Sequence, residues 1–195
     1  MRYFTLILLM TSMAFSDSYN MQLLGYMSFN QMTSDITGFH QDGREFAVIG
    51  LQNTTAFVDV TNPSEPFEVG RIDGGNSIWR DLKYWDRHVY IGTEADDGIK
   101  IVNVNNPDDP VLVSTITDVD NSHNIHVDAD GYLYIVGADE HDIWIYDLQL
   151  PSSPALIGTW DTEYIHDLDV KNDIAYAMGI YSSTAYIIDV SDKSN

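Results

Sequence analysis

Carboxylate, amide and imidazole side chains recur at one position of an internal repeat in this 195-residue chain. The recurring pairs are Ser34-Asp35, Arg80-Asp81, His123-Asn124 and His166-Asp167. Oxygen ligands suit Ca²⁺ or Mg²⁺, and imidazole nitrogens shift the preference towards Zn²⁺ or Mn²⁺. The candidate ligands of a divalent cation, with Ca, Mn or Zn as the expected ion, are therefore Asp35, Asp81, His123, Asn124, His166 and Asp167.

Two other interpretations of these residues stay open. In the structural interpretation, they accept hydrogen bonds from neighbouring backbone N–H groups, because buried polar groups must be satisfied. In the catalytic one, His123, His166 and Asp167 serve a metal-dependent hydrolase or lyase with His166 as the base. The sequence has no G-x-S-x-G, H-E-x-x-H or Gly-rich phosphate loop. We therefore favour a non-catalytic role and assign no catalytic residue.

The elements that must position these side chains follow from the repeat itself. Paired prolines at 63 and 66, 107 and 110, and 151 and 154 give a step of 44 residues. Each unit carries a run such as Phe57-Val58-Asp59-Val60, and no window after residue 16 shows a helical apolar period. A unit of this length cannot bury its own apolar face, so neighbouring units must stack.

Each unit is predicted to form four antiparallel strands, which is the blade of an all-β propeller. A β-sandwich is the alternative, but it gives no reason for a strict 44-residue step. About four blade units are expected. Their approximate bounds are 34–72, 78–116, 122–160 and 164–195.

Residues 21–29 align with the last strand of a blade, because Gly25 precedes Gly70 by one repeat. We expect them to form an outer closing strand beside a third strand, such as the one at 184–190. Two hypotheses remain open. Either this strand closes a four-bladed ring, or the sequence is a fragment of a larger propeller with further blades after Asn195.

The innermost strand of each blade lines the central channel, so the recurring pairs converge on the mouth of that channel. The loops between second and third strands open on the same face. Their candidate ligand-contacting residues are Glu94, Asp96, Asp97, Asp139, Glu140, His141 and Asp142.

The four tryptophans (Trp79, Trp85, Trp144 and Trp160) occupy different repeat positions, which favours packing between blades over a carbohydrate-stacking platform.

Residues 1–16 form a separate segment, with Arg2 followed by an apolar run that ends at Ala14-Phe15-Ser16. The run is too short to span a bilayer, which predicts a secretory signal peptide cleaved before Asp17. The propeller domain then covers residues 17–195, has no transmembrane segment, and lies in the periplasm, on the cell surface or outside the cell. The absence of cysteine excludes disulfides and thiolate sites.

The balance of 30 acidic against 9 basic residues gives a net charge of −21. Such a charge repels phosphate backbones, so nucleic acid is not an expected partner. Cations and basic groups are favoured. The expected partner is an unidentified protein, carbohydrate or small molecule.

The runs at 57–63 and 101–107 resemble the LVIVD repeat of bacterial and archaeal surface proteins. Ser34-Asp35-Ile36, Trp79-Arg80-Asp81, His123-Asn124 and His166-Asp167 further resemble motifs of the choice-of-anchor B family of exported proteins. Thr37 and Phe39 depart from that pattern, in which tryptophans are expected after Ser34-Asp35-Ile36. The resemblance implies a propeller fold and export, and it implies no enzymatic activity. It supports an exported binding or interaction module in a surface or secreted protein.

Overall fold

The computed structural model describes residues 20–194, and every regular element in that range is a β-strand. The predicted signal peptide, residues 1–16, lies outside the described residues. The strands form four antiparallel sheets, and within each sheet the strands follow one another in chain order. This all-β architecture of successive blades agrees with the propeller predicted from the repeat.

Three of the sheets are four-stranded blades. Blade 1 consists of β1 (Thr33–Gln41), β2 (Arg44–Leu51), β3 (Thr54–Asp59) and β4 (Phe67–Asp73). Blade 2 consists of β5 (Arg80–Trp85), β6 (His88–Thr93), β7 (Ile99–Asn103) and β8 (Val111–Ile116). Blade 3 consists of β9 (Asn124–Val127), β10 (Tyr132–Val136), β11 (Ile143–Asp147) and β12 (Ala155–Trp160).

The fourth sheet has three strands in the described residues. Blade 4 consists of β13 (Asp167–Lys171), β14 (Ile174–Gly179) and β15 (Thr184–Asp189). No helix in residues 20–194 is long and apolar enough to cross a membrane.

The recurring Asp or Asn at the end of each third strand forms a turn with the residues that follow it. Its side-chain Oδ1 accepts a hydrogen bond from the backbone N–H two residues later, which forms an Asx turn. The bond recurs in all four blades, at Asp59 with Thr61 (2.8 Å), Asn103 with Asn105 (3.0 Å), Asp147 with Gln149 (2.7 Å) and Asp189 with Ser191 (2.9 Å). This turn leads the chain out of the third strand and into the proline-containing connection.

The core lies between blades rather than within one. Val48 and Phe57 of blade 1 pack with Leu82, Ile91 and neighbouring residues of blade 2. A second cluster joins blades 2 and 3, and a third joins blades 3 and 4. Strands such as β3 and β6 are covered on both faces and are buried along their whole length. Only their central residues form apolar runs in the sequence, Ala56-Phe57-Val58 in β3 and Val89-Tyr90-Ile91 in β6.

The first strands of the four blades are neighbours in the order β1, β5, β9, β13. This places the recurring polar pairs along one line at the inner edge of the blades. Within residues 20–194 the sheets form no closed ring, and β13 does not pack as a neighbour of β1.

Residues 21–29 lie against blade 1 without regular secondary structure or strand pairing. Their place along the repeat nevertheless corresponds to an outer strand. A Cβ added to Gly25 would come 1.8 Å from the carbonyl oxygen of Pro63. A Cβ added to Gly158 on the outer strand β12 would come 1.9 Å from the carbonyl oxygen of Lys193, which lies four residues after Asp189 as Pro63 lies four residues after Asp59. Strand β15 pairs with β14 and, in the described residues, with no fourth strand.

Candidate functional site

The predicted ligand residues all lie at or just before the start of an inner strand, but they make different contacts. Asp35 Oδ2 accepts a hydrogen bond from the backbone N–H of Leu82, at 2.9 Å. One blade further on, Asp81 Oδ2 accepts one from the backbone N–H of Ile125, at 2.7 Å. Asp35 and Asp81 therefore connect the inner strands of successive blades, as the structural interpretation expects.

Between blades 3 and 4 a different residue makes the connection. The backbone N–H of Val170 donates to Nε2 of His126, at 3.4 Å. Burial lowers the pKa of His126, which favours the neutral ring that can accept this bond. His126 was not predicted from the sequence, because it lies two residues after the recurring pair.

Asp81 is buried, and its pKa is shifted. Its Oδ1 accepts hydrogen bonds from the backbone N–H of Leu82 (2.8 Å) and from the ammonium group of Lys83. Burial raises the pKa of Asp81 to about 6, whereas Lys83 and the Ile125 amide oppose the rise and Asp35 adds to it. Lys83 is therefore the counter-charge of this carboxylate.

Arg80 does not bridge Asp81 and Asp167. Its buried guanidinium donates to the backbone carbonyl groups of Leu51 (2.7 Å) and Gln52 (3.1 Å), and also to that of Gly75. Burial lowers the pKa of Arg80, and the carboxylate of Asp97 opposes this effect. Arg80 thus stabilises the connection between blades 1 and 2 by hydrogen bonds to uncharged backbone carbonyl groups.

The two predicted histidines do come together. The ring centroids of His123 and His166 are 4.0 Å apart, and the indole of Trp79 stacks on His123 at 4.6 Å. Glu94 Oε1 lies 2.7 Å from Nδ1 of His123. Nε2 of His123 is buried and has no hydrogen-bond partner among residues 20–194. Asp167 lies on the surface at the start of β13.

A cavity of ≈ 350 Å³ opens beside this stack, and we call it the mouth cavity. Its lining residues are Thr33, Ser34, Asp35, Ile78, Trp79, Arg80, Asp81 and Asn124. Trp79 is 42% exposed, in contrast to the buried Trp144. Trp79 nevertheless packs between blades, as predicted, because its indole stacks on His123 and its Nε1 donates to the His123 carbonyl oxygen at 2.6 Å. The rest of its ring borders the mouth cavity.

The candidate loop residues form separate hydrogen-bonded groups. Asp97 accepts from the backbone N–H of Gly75 (2.7 Å) and pairs with Lys100. Asp96 and Asp139 both accept from the Nδ2 of Asn121, at 3.4 and 3.0 Å. These contacts connect the loops of neighbouring blades.

The remaining loop residues belong to blade 3. Nδ1 of His141 lies 2.9 Å from both carboxylate oxygens of Asp161, and Asp142 accepts from the backbone N–H of Thr162 at 2.7 Å. Glu140 is exposed and adopts a positive φ of 70°. In the described part of the chain, no group of three or more His, Asp or Glu side chains is arranged to hold a metal ion.

The model of the LVIVD repeat family matches this chain at residues 45–74 and 121–162. The first match covers most of β2 and all of β3 and β4, and the second covers all of blade 3. The protein is therefore one with LVIVD repeats, built as propeller-type blades. A comparison with curated proteins finds no match.

The raised pKa of Asp81 predicts a pH dependence of stability. Because the folded state holds the proton more tightly than the unfolded chain, the stabilisation is complete below the ordinary pKa of 3.8 and is lost as pH rises to about 6. We expect the unfolding free energy of the wild type, relative to Asp81→Asn, to fall across this range. Urea unfolding at a series of pH values measures it.

Asp59 provides the control with the opposite sign. Burial raises its pKa, but hydrogen bonds from Thr61 and Arg44 outweigh burial and lower it overall. The wild type should therefore lose stability relative to Asp59→Asn as pH falls below the ordinary pKa. A wild-type curve that stays parallel to that of Asp81→Asn between pH values of about 4 and 6 would contradict the assignment for Asp81.

Proposed function

We propose that this protein is an exported β-propeller module that binds a ligand in the mouth cavity. The observation that carries the proposal is the open indole face of Trp79 beside the polar groups of Ser34, Asp35 and Asn124. Ligand sites in proteins combine an apolar or aromatic wall with a few polar groups that fix orientation. The LVIVD repeats fit such a repeat-built interaction module.

The chemistry of the cavity restricts the ligand. Trp79 offers a flat apolar surface, and Asp35 offers carboxylate oxygens that accept hydrogen bonds or attract a positive charge. The net charge of −21 disfavours nucleic acids and other polyanions. A carbohydrate, a small molecule with an amine, or a basic side chain of a partner protein satisfies these conditions.

The proposal includes export from the cell and membership of the choice-of-anchor B family. Their support is the order of the four inner-strand motifs and the apolar segment after Arg2. Export predicts that the mature protein begins near Asp17. N-terminal sequencing of the exported protein tests this, and a stable cytoplasmic species that retains Met1 would contradict it.

The ligand proposal predicts that Trp79→Ala weakens binding about tenfold, which corresponds to ~1.4 kcal/mol. The probes are neutral mono- and oligosaccharides, and short peptides rich in lysine or arginine. A bound probe raises the melting temperature of the wild type because it stabilises the native state. Thermal unfolding at increasing probe concentration measures the shift.

Phe67→Ala is the matched control, since Phe67 is an exposed aromatic residue on the outer strand β4, away from the mouth cavity. The control should bind the probe like the wild type. Failure of every probe to shift the melting temperature, or equal shifts in wild type and Trp79→Ala, would refute the mouth cavity as the site.

A metal-dependent hydrolase or lyase is the second candidate, and the contact between His123 and His166 is the observation that favours it. It predicts that Ca²⁺, Mn²⁺ or Zn²⁺ raises the melting temperature and that a chelator lowers it. His166→Ala and Asp167→Asn should remove the effect, whereas His40→Ala, at an exposed position on β1, should keep it. A melting temperature insensitive to every ion would rule this candidate out.

A further inference from the structure

Two carboxylates lie side by side in the wall of the mouth cavity. The backbone N–H of Leu82 donates both to Oδ2 of Asp35, at 2.9 Å, and to Oδ1 of Asp81, at 2.8 Å. Because one N–H reaches both side chains, the carboxylates are direct neighbours, and Asp35 accordingly contributes to the raised pKa of Asp81. Two adjacent negative charges repel each other unless positive charge compensates them.

In the part of the chain that the structure describes, a cation accompanies only one of these carboxylates. The ammonium group of Lys83 pairs with Oδ1 of Asp81. Among residues 20–194 the carboxylate of Asp35 has no salt bridge, and it accepts only the hydrogen bond that it shares with Asp81. Its Oδ1 is therefore available to a ligand.

Arg80 also lines the cavity, but it does not neutralise Asp35. Its buried guanidinium donates to backbone carbonyl groups of blade 1 and of the connection to blade 2. The carboxylate that raises the pKa of Arg80 against the effect of burial is that of Asp97, on the loop between β6 and β7. The cavity thus keeps a carboxylate without a cationic partner in residues 20–194.

The rest of the cavity wall suits a cation that carries N–H groups. The indole of Trp79 is 42% exposed, and the part that His123 does not cover borders the cavity. An indole face attracts organic cations. Ser34 Oγ, in the same wall, is buried and has no hydrogen-bond partner among residues 20–194, and Asn124 adds a side-chain amide. Hydroxyl and amide oxygens both accept hydrogen bonds.

We propose that the mouth cavity binds a primary ammonium group at the end of an aliphatic chain, as in an alkylamine or a lysine side chain. This inference rests on the proposed ligand-binding function and narrows it to one class of ligand. The ammonium group donates to Oδ1 of Asp35 and to the oxygens of Ser34 and Asn124. The aliphatic chain covers the indole of Trp79.

Other ligand classes satisfy fewer of these groups. A neutral carbohydrate brings no charge to offset the repulsion between Asp35 and Asp81. A quaternary ammonium brings the charge but has no N–H to donate. A guanidinium group is best bound by both oxygens of a carboxylate, whereas Oδ2 of Asp35 already accepts from Leu82. A compact ammonium group needs only the one free oxygen.

The test compares three forms of one probe, acetyl-lysine methylamide. The unmodified probe has charge and N–H donors, its Nε-trimethyl form has charge alone, and its Nε-acetyl form is neutral. Isothermal titration calorimetry at constant ionic strength gives the dissociation constants. The unmodified probe should bind about tenfold more tightly than either derivative, as expected for hydrogen bonds to a charged group.

Asp35→Asn should remove this preference, because it neutralises the carboxylate. The amide oxygen of the variant still accepts from the Leu82 N–H, and an unchanged melting temperature verifies that the fold is kept. Asp86→Asn makes the same change of charge at an exposed position in the turn between β5 and β6. This matched control should keep the wild-type preference.

A further arm identifies the source of the ammonium group. Butylammonium that binds as tightly as the lysine probe indicates a small amine, and a clear advantage of the lysine probe indicates the side chain of a partner protein. Either result supports the ammonium site, provided that Asp35→Asn weakens the binding.

Failure of this inference differs from failure of the proposed function. Equal affinities for the three lysine probes, or a preference that survives Asp35→Asn, would overturn the ammonium ligand. Binding of a neutral saccharide that Trp79→Ala abolishes, without binding of any amine, would also overturn it but would keep the mouth cavity as the site. If neither amines nor saccharides bind, both proposals are refuted.

Discussion

Each blade has to cover the apolar sheet face of the blade before it, and the rest of the structure depends on this contact. A single four-stranded sheet exposes too much apolar surface to be stable, so the blades are stable only as a stack. The pair Tyr90 and Ile101 shows the result, because both residues are fully buried between blades 2 and 3. The same demand restricts insertions, because an extra residue within a strand would move its apolar residues to the wrong face.

The polar residues at the inner strands determine how neighbouring blades align when they stack. Apolar contact alone allows neighbouring blades to slide, whereas a hydrogen bond from a backbone amide to Asp35 or Asp81 fixes the register of adjacent inner strands. Burying Asp81 raises its pKa, and Lys83 partly offsets the cost of the buried charge. The carboxylates of Asp35 and Asp81 thus have a structural role, and Asp35 also lines the mouth cavity beside Trp79.

Much of the fold could be predicted from the sequence, because the repeat specifies both strand number and strand order. The Asp59 Asx turn and the Asp42-Gly43 hairpin, where both residues adopt positive φ, have local sequence signals. The site was less predictable. The repeat places Arg80 and His166 at equivalent positions, but only packing decides that Arg80 donates to the Leu51 carbonyl group and that His166 contacts His123. The open face of Trp79 likewise depends on neighbours that are distant in sequence.

The most direct test of this account is the free energy of unfolding of Ile101→Ala, measured by urea denaturation, with Val113→Ala as the control. Ile101 is fully buried between two blades, and Val113 is exposed on the outer strand of the same blade. The account predicts a loss of about 2–5 kcal/mol for Ile101→Ala, from lost apolar burial and the cavity left behind. The control should change by less than about 0.5 kcal/mol. Equal, small effects of both substitutions would contradict the claim that stacking between blades holds the fold together.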